Sequence, residues 1–258
     1  MSQDRFFVPG FPDDDDERVE LVLDGDEARH LLRVKRHRVG DDVEVFDGRG
    51  RVATATVVAT TKSTATLDLA GRERRPRMPA CELRLAVALP RSGGADDLLR
   101  RAVELGVTEV IPLRTERSTQ KPDRKDPAAA RERFRRLAIA AMKQCGRNEF
   151  PTLADASSLG EVAGGCDEVG IYGVAEGQGE EPRAFERRCE GVPARVLVVV
   201  GPEGGLSPAE EEFLSSRGFH AITSGPTVLR VETAVTVLLG WLASARTVVS
   251  RGPAEPGA

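Results

Sequence analysis

Two glycine turns, each closing a run of strand-forming residues, are where this chain could most easily build chemistry. The first is Gly201-Pro202-Glu203-Gly204-Gly205, after the β-branched run 196–200; the second is Ser224-Gly225-Pro226, after the short run 219–223. Glycine at a strand end lets a ligand come close to the main chain. Between the turns the sequence writes a helix start: Ser207 at the N-cap, Pro208 at the first helical position and Glu210 three residues after the serine form a capping box. Glu211 and Glu212 add negative charge where the helix dipole favours it. A third segment opens with Leu229-Arg230-Val231-Glu232-Thr233 and becomes an apolar helix through Trp241. No phosphate-loop pattern occurs, no G-x-G-x-x-G follows a strand, and the first turn has no lysine to balance a triphosphate. A ligand read by backbone N–H and C=O groups, such as an adenine edge or an amino-acid moiety, fits better. The same spacing also serves as an ordinary βαβ connection, and spacing alone does not choose between them.

These turns need a frame. From Cys81 onward, strands are predicted at 83–89, 107–113, 168–173, 196–200 and 219–223. Helices are predicted at 95–105, from Asp126-Pro127 to about Gly146, at 182–189 and from Ser207. This alternation predicts a parallel α/β sheet. The first 75 residues read differently, as a small β domain with strands at 19–23, 42–46, 52–60 and 64–69, a turn at Asp47-Gly48 and a helix over 25–34. Arg29, Arg33, Lys35, Arg36 and Arg38 cluster there, able to neutralise phosphates or simply to solvate a helix end. Residues 71–80, charged and with two prolines, read as a linker, and the tail 251–258 as disordered.

The formal net charge of −4 does not exclude an RNA partner. The run Asp13-Asp14-Asp15-Asp16-Glu17 alone carries −5, leaving the remainder at +1, and charge distribution rather than its total decides nucleic-acid affinity. No apolar run is long enough to span a bilayer and no signal-peptide pattern opens the chain, so a cytoplasmic protein is expected. Cysteines 81, 145, 166 and 189 lack C-x-x-C spacing and histidines number three, so free thiols and no metal are expected.

The segments GPEGGLSPAE and SGPTVLRVETA resemble the signature of SPOUT-class methyltransferases that modify N3 of a uridine in small-subunit (16S) ribosomal RNA. Arg5-Phe6-Phe7, the stretch His30-Leu31-Leu32-Arg33-Val34 and Phe46-Asp47-Gly48 resemble that family's small barrel. The stretches from Ala102 to Val107, from Thr115 to Ser118 and from Lys143 to Asn148 resemble the first half of its methyltransferase domain. Ser224, Thr227 and Val231 depart from the usual leucine, arginine and threonine; Arg100-Arg101 replaces a usual Gln-Lys, and Arg91 sits near a usual lysine.

The resemblance implies a SPOUT α/β-knot fold: a parallel sheet tied into a deep trefoil knot at 76–250, behind a PUA-like RNA-binding β-barrel at 1–75. It implies S-adenosylmethionine (SAM) as methyl donor, lined by Tyr172, Gly173 and Val174, by Val200, Gly201, Glu203, Gly204 and Gly205, and by Ser224, Gly225, Val228 and Leu229. Arg230 and Glu232 are the expected catalytic pair, with a structural ion pair at a helix start as the alternative. Arg5, Arg33 and Arg36, with Arg91, Arg117 and Arg147, are the expected RNA contacts, each open to reading as a plain surface arginine. A homodimer through residues 235–241 and the helix after Gly94 is implied, although core packing explains the same apolar pattern. Other readings are a SPOUT enzyme acting on tRNA or on a ribose 2′-hydroxyl, or an RNA-binding protein without catalysis.

Overall fold

A computed structural model describes residues 3–10, 19–90, 94–118, 126–164, 168–175, 178–245 and 247–248. The acidic run, Arg91, Cys166 and the C-terminal tail lie outside the described residues. The chain divides into two compact units, one of residues 1–78 with 139–150, the other of 79–138 with 151–258.

In the first unit, strands β1 (Arg5–Phe7), β2 (Val19–Leu23), β3 (Asp42–Phe46), β4 (Arg51–Thr60) and β5 (Ala65–Arg74) form one sheet in the order β1-β3-β4-β5-β2. The β1–β3 pairing is parallel and the others are antiparallel. Alternate residues face one core: Val43 and Val45 from β3, Ala55 and Val57 from β4, Leu67 and Leu69 from β5. Two register shifts along β4–β5 bend the sheet, and β5 runs on to Arg74, paired with Arg51, so the expected linker begins as strand. The helix expected at 25–34 is α1 (Gly25–Arg29) continued by a wider π turn, His30–Lys35. That turn ends at Arg36 in the left-handed region, φ 61°.

Charge is drawn inward in this unit. Arg5 is 9 % exposed and lies over the Phe46 ring, 4.6 Å from its centre. Its guanidinium pairs with Glu44 at 2.6 Å and donates to the carbonyl of Met142 and to Asn148 Oδ1. Arg75 pairs with the other oxygen of Glu44, and Asn148 donates to the Arg75 carbonyl. Arg147, 3 % exposed, donates from Nε to the Glu149 carbonyl, and burial pulls its guanidinium down to about 10. Arg5 and Arg147 were expected on RNA; burial corrects both to structural groups. Burial opposes it, but hydrogen bonds from Arg75 and Arg5 hold the Glu44 carboxyl below its ordinary value. Its contribution is therefore present at neutral pH and is lost as acid carries the pH down through that lowered value.

The second unit contains β6 (Glu82–Val87), α2 (Gly94–Glu104), β7 (Val107–Arg114) and α3 (Pro127–Cys145), whose residues from Ile139 belong to the first unit. It continues with β8 (Thr152–Leu153), β9 (Ser157–Ser158), α4 (Leu159–Ala163), β10 (Val169–Val174), α5 (Pro182–Arg188), β11 (Val192–Pro193) and β12 (Arg195–Val200). It ends with α6 (Pro208–Ser216), β13 (His220–Thr223), α7 (Val231–Ser244) and β14 (Thr247–Val248). The main sheet has the order β13-β10-β12-β6-β7-β8, with β9 beside β7, and every pairing in it is parallel. Residues 196–200 of β12 are all buried, which is why they read as an unbroken apolar run rather than an alternation. Helix α7 packs on α2 and buries Val231, Val235, Leu238, Leu239 and Leu242.

Arg5→Ala is expected to cost about 3 kcal/mol of stability in urea unfolding, because it removes one of the two arginines that pair with the half-buried Glu44 carboxylate and leaves the buried Asn148 Oδ1 without its donor. An unchanged urea midpoint would contradict the structural role.

Candidate functional site

The parallel sheet brings the carboxyl ends of β10, β12 and β13 side by side, with Tyr172 level with Val199 and Val174 level with Thr223. Ligands of open α/β sheets bind in the crevice beyond such ends. The chain leaves β12 into Gly201 and β13 into Ser224, so both glycine turns border one cavity of about 420 Å³, a size suited to a small molecule. Its wall takes Gly173, Val174, Ala175 and Gln178 from the β10 end, residues 200–206 with Pro208 and Glu211 from the first turn and α6, and Ser224, Thr227, Val228 and Leu229 from the second turn. Val231, Ala234 and Leu238, one face of α7 at helical spacing, close the floor.

The first turn is held in shape from several sides. The Gly205 amide donates to the Pro202 carbonyl at 2.8 Å, with Gly205 at φ 69°, a backbone region that suits glycine. A Cβ on Gly201 would lie 3.1 Å from Leu206 Cδ2, Cγ and backbone nitrogen. The capping box is formed as expected: the Glu210 amide donates to Ser207 Oγ at 3.3 Å, and the Ser207 amide to Glu210 Oε2 at 2.8 Å. The other oxygen of Glu210 accepts from the Glu116 amide at 2.8 Å. Next to it, Arg117 Nη1 donates to the carbonyls of Gly204 at 2.9 Å and Leu206 at 3.0 Å.

Most of the expected donor-lining residues therefore meet at one cavity, but Tyr172 and Gly225 do not line it. Tyr172 is 4 % exposed; its ring packs in the core with Leu214 and Phe219, and its hydroxyl meets Ser215 Oγ at 2.9 Å. Pleating turns it to the far side of β10 from Gly173. Gly225 shapes its turn, at φ 122°, without facing the cavity.

Arg230 caps α7 with its backbone, accepting from the amides of Thr233 and Ala234. It is exposed, Glu232 is half-buried, and both flank the cavity-facing Val231 without lining the cavity themselves. The two form no ion pair with each other, which removes the structural pair as their explanation. A Cβ on Gly94 of α2 would lie 3.9 Å from the Glu232 carboxylate.

Of the expected RNA contacts, Arg33 and Arg36 are exposed on the π turn of the first unit. Arg91 lies outside the described residues, and Arg117 belongs to the cavity wall. Sequence reasoning missed Arg117 there, and missed Leu206, Pro208, Glu211 and the α7 face. For the α7 face a signal existed, since residues 231, 234 and 238 share one helix stripe; for Arg117 none did. Among the described residues no group of three or more His, Cys, Asp or Glu could hold a metal, and no helix is long and apolar enough to cross a membrane. Cys81, Cys145 and Cys189 are free thiols, and burial pushes Cys81 up to about 12.

Comparison with known proteins gives two family matches, "RNA methyltransferase domain" over residues 76–243 and "RNA methyltransferase PUA domain" over 23–70. The ribosomal RNA small subunit methyltransferase E of Synechocystis sp. is 30% identical over 223 residues, covering 85% of this chain and 71% of that protein. Its Bacillus subtilis counterpart is 28% identical over 236 residues, covering 89% and 92%. A candidate methyltransferase from Legionella pneumophila, solved with the cofactor SAM bound, aligns with a TM-score of 0.84 at 27% identity, covering 94% of this chain and 97% of that one.

Gly201→Ala is expected to destabilise the protein by about 1–3 kcal/mol, because backbone as well as side chain must move aside. Urea unfolding checks this; an unchanged midpoint would show that the turn is looser than its packing indicates.

Proposed function

Because the chain belongs to the ribosomal RNA small subunit methyltransferase E family of SPOUT-class enzymes, we propose that it transfers a methyl group from SAM to N3 of a uridine in 16S ribosomal RNA. The observation that carries the reading is the cavity between the two glycine turns. Its wall offers main-chain groups to a purine edge and apolar surface from Val200, Leu206 and Leu229 to a ring face, which suits the adenosyl half of SAM. Bound there, SAM supplies an electrophilic methyl on a positively charged sulfur.

The residues of this chain then have three tasks. The walls orient the donor so that acceptor and methyl meet in line. Arg230, at the mouth of the floor helix, stabilises the negative charge that develops on the uracil carbonyl oxygens as N3 loses its proton. Glu232 takes that proton or orients Arg230. The N3 atom lies on the pairing edge of uracil, so the target base is unpaired or flipped out of its stack.

Around this chemistry we place the remaining expectations of the family. The PUA-like unit docks RNA phosphates through Arg33 and Arg36. The close-set turns after β12 and β13 belong to a trefoil knot. Two copies associate through the outward stripe of α7 around Thr233 and Val237, since Val235, Leu238 and Leu239 are used inside the subunit. Work on ribosomal RNA puts the protein in the cytoplasm.

Purified protein given SAM and small ribosomal subunits, followed by nuclease digestion and mass spectrometry, is expected to yield 3-methyluridine. Ribose methylation, methylation of tRNA instead, or no transfer would overturn the reading. Arg230→Ala is expected to lower kcat by about 10²-fold while donor affinity changes little. Collapsed donor binding with normal turnover at saturation would refute its role.

A further inference from the structure

The cavity wall carries three charged side chains, Arg117, Glu203 and Glu211, and Arg117 is its one cation among the described residues. Arginine and a carboxylate sharing a wall would ordinarily pair, yet Arg117 forms no ion pair with either glutamate or with any other described carboxylate. It is pinned instead: Nη1 is committed to the carbonyls of Gly204 and Leu206, and the methylenes lie along Gly204, whose Cβ, if present, would sit 3.7 Å from Arg117 Cβ and Cδ. Nε and Nη2 have no partner among the described residues. A guanidinium held in this way presents its remaining donors as a ready-made fork for a planar anion.

The wall thus keeps one positive and two negative charges apart. SAM carries the opposite set: one α-carboxylate against two cations, the α-ammonium and the sulfonium. We propose that Arg117 binds the α-carboxylate of the donor, with Glu203 and Glu211 facing the two cationic groups, which makes Arg117 a specificity-determining residue of the donor site rather than an RNA contact. This rests on the reading of the cavity as the SAM site. The same residue, by closing on the carbonyls of the first turn, ties the shape of that turn to the group that recognises the donor's amino-acid end.

Calorimetry with SAM and with decarboxylated SAM, which lacks only the α-carboxylate, tests the assignment on the full-length protein. Wild type is expected to bind SAM at least about 10-fold more tightly than the decarboxylated analogue, in line with one lost charge-assisted fork. In Arg117→Gln the ratio is expected to fall to within about 3-fold, and Arg117→Lys is expected to restore part of it. A ratio in Arg117→Gln equal to that of wild type overturns the proposal, as does a wild type that binds both compounds alike, a result needing no variant. Weakened RNA binding with the donor ratio intact assigns Arg117 to a phosphate instead. Failure of wild type to bind either compound removes the SAM reading itself, and the inference with it.

Discussion

The rigid shape of one main-chain turn, from Gly201 to Leu206, is the constraint on which the site depends. A backbone that reads a ligand must not reorganise when the ligand arrives, since its donors and acceptors cannot be repositioned by rotamer changes. Here the shape is fixed by mutually consistent interactions: a 2.8 Å turn hydrogen bond, close packing of Gly201 on Leu206, a capping box that starts α6, and the grip of Glu116 and Arg117 from the end of β7. Each is modest by itself, about 1 kcal/mol for a hydrogen bond or a cap. Together they favour one conformation of the turn. The parallel sheet supplies the rest by setting this turn beside the one that follows β13.

The first unit solves a different problem. Beside its apolar core, Arg5, Glu44, Arg75, Arg147 and Asn148 form a polar network where β1 and β3 meet the segment 139–150. Such a network loses more than one contact when a member is removed, since the remaining buried groups are left without partners. It spends arginines inside the unit, whereas Arg33 and Arg36 stand exposed on the π turn.

What the sequence made legible was local or periodic. The capping box at Ser207 involves neighbours three residues apart and formed as read. The alternation of strands and helices gave the parallel sheet, and the two turns met at one cavity. What it hid depended on distance along the chain. Arg5 and Arg33 look alike as residue types; only partners 39 to 143 positions away bury the first. Tyr172 lies in a strand with apolar residues on both faces, so pattern could not say which face it takes. The π turn at 30–35 keeps the apolar spacing of an α-helix, and β8, β9 and β11 are too short to show any period. Arg117 was visible as a cation, but not as part of the cavity wall, because its partners lie 87 and 89 residues onward.

The proposed function requires that SAM occupy the space between the two turns. Amide hydrogen exchange, followed with and without saturating SAM, measures this directly. Protection concentrated in residues 173–175, 200–206 and 224–231 is the expected result. Protection confined to other segments, with those three unchanged, would contradict it.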